Sequence, residues 1–259
     1  MSKIVAAFKK QHKCFIPFIT AGDPDLNMTK ELIMAMADAG ADIIELGIPF
    51  SDPVAEGEVI QAANIRALAA GTTTDKIFAM LDEVRQKTDI PLVFLTYVNP
   101  IFTYGSEKFL AACRRTGVDG IIVPDVPYEE KAELDGLCSK YGVDLIPLVA
   151  PTSEERIKMI AKEAQGYVYI VSSLGVTGVR QDITTDIKSI VDKIREVTDV
   201  PSAVGFGIAT TGQAREMASV SDGAIVGSAV VKLVGEYGKN CLEPVKEYVK
   251  QMADAVHKV

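Results

Sequence analysis

The stretch "DIIELGIPF" (residues 42–50) carries the strongest indication of the fold. It is almost continuously apolar, whereas a strand with one face in water alternates apolar and polar residues. A run of this kind is typical of a parallel strand that is covered on both faces. Glu45 interrupts the run, so the stretch that predicts a buried strand also places a carboxylate in it.

Seven further apolar runs lie on either side of this stretch, at residues 14–22, 91–100, 120–127, 144–151, 167–173, 201–208 and 223–231. The segments between the runs have helical spacing. In one of them a single apolar stripe is formed by Ile187, Ile190, Val191 and Ile194. In another, Thr152 and Glu155 have the spacing of a capping box, which predicts a helix that starts at Thr152.

Eight repeats of strand and helix, without a linker rich in Pro, Gly or Ser, favour one closed barrel over an open sheet. We therefore predict an α/β fold, a single (β/α)8 TIM barrel that spans residues 1–259. An added N-terminal helix is expected before the first strand, and a short phosphate-binding helix after the eighth. In such a barrel, functional residues lie where the strands end and the following loops begin.

The composition excludes several classes of function. The chain has 27 basic and 35 acidic residues and a net charge of −8, without a cluster of basic and aromatic residues, so we predict that it binds neither nucleic acid nor membrane. No apolar segment is long enough to span a bilayer, and the first residues lack the apolar run of a signal peptide. We therefore expect a cytoplasmic protein.

The cysteine and histidine residues predict no metal site. The cysteines are far apart in the sequence, without a C-x-x-C pair, at Cys14, Cys113, Cys138 and Cys241. The two histidines, His12 and His257, lie near the ends of the chain. This pattern indicates a reduced cytosolic protein without structural zinc.

Glycines follow three successive strands, in "GVTG" (residues 175–178), "GFG" (205–207) and "GS" (227–228). One such glycine would indicate no more than a tight turn, but three together favour a place where the backbone approaches a ligand. The helix that begins near residue 228 would point its N–H groups at an anion. Barrel enzymes frequently bind phosphate here, and no "GxxxxGK[ST]" motif is present, so we predict a phosphorylated substrate and no P-loop.

The carboxylate of Glu45 has two explanations. As a structural group, it would face the barrel interior and pair with a lysine or arginine. As a chemical group, it would have its pKa raised towards the range useful for proton transfer, because its sequence neighbours Ile43, Ile44, Leu46 and Ile48 are apolar. The strand by itself does not decide between them.

The loop after this strand supplies two more acids. Asp52 lies between Ser51 and Pro53, which favours a turn residue. Glu56 by itself is an ordinary solvated acid, although a loop acid could also reach over a bound substrate. Three further residues stay ambiguous. Tyr97 and Tyr169 lie in strand sequences, where aromatic residues are more often core filler than catalysts, and Asp125 binds substrate or caps the next turn.

Together, "ELGIPFSDPVAEG" (45–57), "SSLGVTGVR" (172–180), "VGFGI" (204–208) and "DGAIVGSAVVK" (222–232) resemble the tryptophan synthase alpha chain family over nearly the whole length. The resemblance implies a barrel that cleaves indole-3-glycerol phosphate to indole and glyceraldehyde 3-phosphate, a retro-aldol reaction without a cofactor of its own. It also implies a partner, the pyridoxal-phosphate-dependent beta chain, in an alpha2-beta2 complex. The loops after strands two and three would form much of that interface.

The same resemblance implies roles for individual residues. Glu45 would be the general acid/base that protonates indole C3 and assists loss of the glycerol hydroxyl proton, with Glu56 as the second catalytic acid. The substrate-binding positions would be Phe18, Tyr97, Ile122, Tyr169, Thr177 and Phe206. The phosphate-binding positions would be Gly178, Gly207, Gly227 and Ser228.

This sequence departs from the family's pattern at three positions. Glu56 replaces the usual aspartate that accepts the indole N–H proton, Glu58 replaces a proline, and Ser173 replaces an arginine. The extra methylene displaces the carboxylate by about 1 Å, which can cost on the order of 100-fold in rate. Two alternatives therefore stay open: a partner-independent lyase that releases indole, or a weakly active chain that binds substrate and activates the beta chain allosterically.

Overall fold

The computed structural model of the chain describes residues 2–172, 186–205 and 207–259. Within these ranges the strands are β1 Cys14–Thr20, β2 Ile44–Gly47, β3 Leu92–Leu95, β4 Gly120–Ile122, β5 Asp144–Leu145, β6 Leu148–Val149, β7 Val168–Val171, β8 Ser202–Gly205 and β9 Gly223–Val226. The helices are α1 Lys3–Phe8, α2 Leu26–Asp38, α3 Glu58–Ala69, α4 Thr74–Val84, α5 Val98–Tyr104, α6 Ser106–Thr116, α7 Ala132–Tyr141, α8 Glu154–Lys162, α9 Ile187–Arg195, α10 Thr211–Val220, α11 Ser228–Tyr237 and α12 Leu242–His257.

All strand pairs are parallel, in the order β5-β4-β3-β2-β1-β9-β8-β7-β6. The two outer strands, β5 and β6, belong to one apolar run and are separated by Ile146 and Pro147 alone. The N–H of Ile146 donates to Ile121 O (2.9 Å) on one side, and Pro147 O accepts from Tyr169 N (3.0 Å) on the other. This run therefore joins both edges of the sheet.

The predicted (β/α)8 TIM barrel is confirmed, with one difference in the strand count. The fifth of the eight predicted strands is interrupted, because Pro147 has no N–H to give to a neighbouring strand. The N-terminal helix is present as α1, and a ten-residue helix, α11, follows the last strand.

One predicted helix start is wrong by a residue. The hydroxyl of Ser153, instead of Thr152, accepts the hydrogen bond from Arg156 N (3.3 Å) that caps α8. Both residues carry a capping hydroxyl, so the sequence pattern could not choose between them. The helix predicted around residues 187–194 is confirmed, and its apolar stripe is buried.

Strand side chains alternate between two cores. One core lies between the sheet and the helices and includes Ile44 and Leu46 from β2. The other fills the barrel and consists of Ile4, Ala7, Cys14, Ile16, Ile43, Val93, Ile122, Ile146, Tyr167, Tyr169, Ala203 and Ile225. Since Ile4 and Ala7 belong to α1, this helix covers the amino-terminal end of the barrel. Among the described residues, no helix is both long and apolar enough to cross a membrane.

A half-buried arginine connects loops at the amino-terminal ends of β3 and β4. The guanidinium of Arg85 donates to the carbonyl oxygens of Ile90 and Gly117, each at 2.5 Å, and contacts Asp119 at 3.3 Å. Its side chain is 13% exposed. The planar guanidinium group has several N–H donors that point in different directions and can bond these separate acceptors, whereas the donors of a lysine are on a single nitrogen.

We therefore predict that Arg85→Lys lowers the free energy of unfolding by about 1–3 kcal/mol, because at least one half-buried carbonyl loses a charged donor. Urea unfolding followed by circular dichroism measures the change. Arg115→Lys is the matched control, since its partner Asp82 lies at the surface, and it should change the stability by less than about 0.5 kcal/mol. Equal losses in the two variants would contradict the assignment.

Candidate active site

A cavity opens at the carboxyl ends of the strands, where barrel enzymes carry their active sites. Nine of the residues predicted from the sequence line it: Phe18, Glu45, Glu56, Tyr97, Ile122, Tyr169, Gly207, Gly227 and Ser228. The other three predicted residues, Thr177, Gly178 and Phe206, lie outside the described residues, as does Ser173. The structure thus brings together residues from seven strands or the loops that follow them.

Glu45 lies in β2, opposite Phe18 of β1 and Val93 of β3, and is 1% exposed. The hydroxyl of Tyr167 donates a hydrogen bond to its Oε1 at 2.6 Å. No lysine or arginine of the described chain forms an ion pair with it. Its apolar surroundings come from other strands, because the sequence neighbours Ile44 and Leu46 face the helices instead of the interior.

Burial raises the pKa of Glu45 to about 8, against the opposing effect of the Tyr167 hydrogen bond. A carboxyl group with this pKa holds its proton at neutral pH and can donate it to a substrate. Burial also raises the pKa of Tyr167, and the nearby Glu45 charge adds to that effect. Tyr167 therefore acts as a neutral hydrogen-bond donor here.

Glu56 is also buried, at 6% exposure, so the expectation of an ordinary solvated acid is wrong. The side-chain amide of Asn64 donates to its Oε2 at 2.6 Å, and the Tyr97 hydroxyl bonds the same carboxylate. Burial raises the pKa of Glu56, while these two hydrogen bonds lower it. Glu56 is buried because α3 begins two residues after it and places the side chain of Asn64 over it.

At the end of the cavity that the sequence predicts to bind phosphate, two of the predicted glycines have special backbone positions. Gly207 adopts φ +81°, a conformation that side-chain-bearing residues rarely adopt. Gly227 is the N-cap of α11, whose first N–H groups have no carbonyl partner within the helix. A Cβ at Gly205 would collide with the ring of Tyr169, so glycine there leaves room for a site residue.

Asp125 caps a helix that precedes it in the sequence, instead of the next turn, and Asp52 contacts its sequence neighbour. The carboxylate of Asp125 accepts from Val98 N, the first residue of α5, at 3.0 and 3.2 Å, and thus caps that helix. Asp52 is exposed and bonds the hydroxyl of Ser51 (2.5 Å). The sequence prediction missed Tyr167, although it shares a strand face with Tyr169 two residues later. It also missed Asn64, for which no local pattern exists.

A closed parallel barrel with two buried acids and the N-terminus of α11 at the carboxyl ends of its strands defines an α/β-barrel enzyme of the acid–base type. The sequence profile described as "Tryptophan synthase alpha chain" matches residues 4–257. This chain belongs to the tryptophan synthase alpha chain family.

Individual relatives are similar over almost their whole length. The tryptophan synthase alpha chain of Lacticaseibacillus casei is 48% identical over 256 residues, which are 99% of this chain and 96% of that one. The crystal structure of the alpha subunit from Legionella pneumophila str. Paris is 34% identical, with a TM-score of 0.91 and full coverage of both chains. A structure of the tryptophan synthase a2b2 complex from Pyrococcus furiosus is 36% identical, with a TM-score of 0.86, and covers 94% of this chain and 100% of that one.

The raised pKa of Glu45 makes stability depend on pH. Between about pH 4 and pH 8 the folded state holds one more proton than the unfolded state, so stability falls as pH rises through this range. Glu45→Gln lacks that proton equilibrium. We therefore predict that the variant gains stability relative to the parent, by up to about 1.4 kcal/mol per pH unit. Urea unfolding of both proteins across this range measures the difference.

Tyr167→Phe provides a second arm of this test. It removes the hydrogen bond that opposes the raised pKa, so its own stability should fall with pH over a range that extends higher than that of the parent. Parallel stability curves for Glu45→Gln and the parent would show that the pKa of Glu45 is not raised.

Proposed function

We propose that this chain cleaves indole-3-glycerol phosphate to indole and glyceraldehyde 3-phosphate, as the alpha subunit of tryptophan synthase in L-tryptophan biosynthesis. The observation that carries the proposal is Glu45, an acid that holds its proton at neutral pH inside a cavity that also contains Glu56 and the start of α11. Membership of the family supports the choice of substrate.

Glu45 would act twice in one turnover. In its protonated form it donates a proton to indole C3, which leaves positive charge on the ring. The resulting carboxylate then takes the proton of the glycerol hydroxyl on the carbon attached to C3. The bond between C3 and that carbon breaks, its electrons return to the indole ring, and an aldehyde is released. Glu45 ends the cycle protonated, as it began.

Glu56 would stabilise the charged ring. Its carboxylate accepts the indole N–H when C3 is protonated, so the interaction is strongest in the transition state. The hydrogen bonds from Asn64 and Tyr97 hold that carboxylate in place. These hydrogen bonds restrict the additional side-chain rotation that the extra methylene of Glu56 allows. We therefore keep Glu56 as the second catalytic acid.

The rest of the cavity would bind and orient the substrate. The phosphate would lie at the start of α11, against backbone N–H groups of Gly207, Gly227 and Ser228. Apolar and aromatic side chains would enclose the indole: Phe18, Tyr97, Ile122 and Tyr169. Gly178, Thr177 and Phe206 keep their proposed roles from the sequence.

We propose that the beta chain docks on the loops after β2 and β3 and that the complex works in the cytoplasm. Val54 and Phe102, in or just after these loops, expose apolar side chains to 71% and 48%. The related Pyrococcus furiosus structure is that of an a2b2 complex. The pyridoxal phosphate of the complex would belong to the beta chain, and the alpha chain would need no cofactor of its own.

Indole release tests the proposal and its alternatives. Purified protein should release indole from indole-3-glycerol phosphate weakly alone and strongly with a beta chain, and Glu45→Gln should abolish release in both conditions because it can neither donate nor accept the proton. Strong release without a partner would indicate the free lyase. No release in either condition, with substrate still bound, would indicate the allosteric activator.

Asn64→Ala tests the positioning of Glu56. It removes a hydrogen bond to a buried carboxylate, and we expect kcat to fall about tenfold or more with a smaller change in KM. Gln61→Ala is the matched control, because this side chain donates to the backbone oxygen of Glu56 and leaves the carboxylate untouched. If both variants lose the same activity, Asn64 supports the loop in general and does not position the acid.

A further inference from the structure

Two histidines and a buried aspartate meet at the amino-terminal end of the barrel, opposite the cavity. His12 precedes β1, Asp42 precedes β2, and His257 is the last residue of α12. The sequence predicted no metal site, because the two histidines lie near opposite ends of the chain. Folding places them side by side, with ring centroids 3.9 Å apart and planes tilted by 38°.

Asp42 is the centre of this cluster and is 2% exposed. Its Oδ2 accepts from Phe15 N at 2.9 Å and lies 2.8 Å from Nε2 of His257 and 3.9 Å from Nδ1 of His12. Its Oδ1 accepts from the Lys10 ammonium at 2.6 Å. One nitrogen of each imidazole and one carboxylate oxygen lie within 4.8 Å of one another.

We propose that His12, Asp42 and His257 form a binding site for a transition-metal dication of the Zn²⁺ type. Two imidazole nitrogens and one carboxylate oxygen suit Zn²⁺, Co²⁺ or Ni²⁺, whereas Mg²⁺ and Ca²⁺ prefer oxygen ligands alone. Three protein ligands leave the fourth tetrahedral position to water.

The ligands have to move closer to reach bonding distance. Tetrahedral Zn²⁺ holds its ligands at about 2.0–2.2 Å, which places them about 3.3 Å from one another. The two imidazoles can make that movement, because their side chains are 28% and 23% exposed. Asp42 stays fixed by the hydrogen bond from Phe15 N, which holds one ligand in place.

Two neighbouring residues of this cluster affect metal binding in opposite ways. Nδ1 of His12 lies 3.0 Å from the carbonyl oxygen of Lys13, and a carbonyl can only accept, so this nitrogen carries the hydrogen in the metal-free chain. Nε2 of His12, which has the lone pair, would then be the ligand atom, and the ring would have to turn so that Nε2 instead of Nδ1 faces Asp42. The ammonium of Lys10 competes with a metal ion for the Asp42 carboxylate. Its side chain is 48% exposed, so it can withdraw into water when an ion binds.

A metal ion at this place would join the segment before β1, the start of β2 and the end of α12. It would therefore stabilise the contact between the two ends of the chain. Its role would be structural, since the cluster lies at the end of the barrel away from Glu45 and Glu56.

The test uses the untagged full-length chain with ZnCl₂ as the probe and MgCl₂ for comparison. We expect calorimetry to show one Zn²⁺ per chain and no Mg²⁺. His12→Gln and His257→Gln should each weaken binding by at least about tenfold. Lys10→Gln should strengthen Zn²⁺ binding, because the competing charge is removed. Lys9→Gln, which removes the same charge from an exposed neighbour, should leave the binding unchanged.

Thermal unfolding gives a second measure of Zn²⁺ binding. A hundredfold excess of Zn²⁺ over its Kd should raise the Tm by about 5 °C.

The absorption spectrum of bound Co²⁺ identifies the ligands independently. Nitrogen and oxygen ligation with four-coordinate geometry supports the site, and a sulfur-to-cobalt band would overturn it by assigning the ion to a cysteine. Unchanged Zn²⁺ affinity in His12→Gln, which circular dichroism shows to be folded, would also overturn it, whatever happens to the folding of His257→Gln. Indole release should be the same in every one of the four variants that folds, so the result does not depend on the proposed function.

Discussion

The structure depends on the closure of a parallel sheet around one carboxylic acid. Because residues 144–149 pair with a strand on each side, the sheet has no free edge, and side chains fill its interior. Glu45 lies in that interior with the Tyr167 hydroxyl as its hydrogen-bond donor. A carboxylate is poorly solvated there, so the group holds its proton at neutral pH. The property that suits Glu45 to proton transfer is thus a consequence of barrel closure.

The two acids of the cavity are removed from water by different parts of the fold, and in both cases burial raises the pKa while a hydrogen bond opposes it. Glu45 is held on a strand, and the barrel itself removes it from water. Glu56 lies in the loop before α3, and a helix side chain, Asn64, together with Tyr97, covers and bonds it. An acid on a strand has a fixed position, whereas an acid on a loop depends on its partners for its geometry. Glu56, where the resemblance leads us to expect an aspartate, is of the second kind, and its neighbouring donors can accommodate a longer side chain.

The two ends of the barrel have different tasks. At the amino-terminal end, α1 fills the opening, Arg85 ties loop carbonyls together, and Asp42 connects the segment before β1 to the last helix. At the carboxyl end, glycines leave space and backbone N–H groups for a ligand. Stabilising contacts at one end permit a cavity with buried acids at the other, where each buried polar group costs stability.

The sequence by itself determined the eight apolar runs, their parallel arrangement and the glycines at the strand ends, because these follow from patterns within short segments. It also determined that Glu45 is buried and, through the resemblance, nine of the residues that line the cavity. Only the tertiary structure decided which side chains bond to Glu45 and Asp42. Tyr167 is 122 residues from Glu45, and His257 is 215 residues from Asp42. No local pattern relates residues so far apart; closure of the barrel and docking of the last helix bring them into contact.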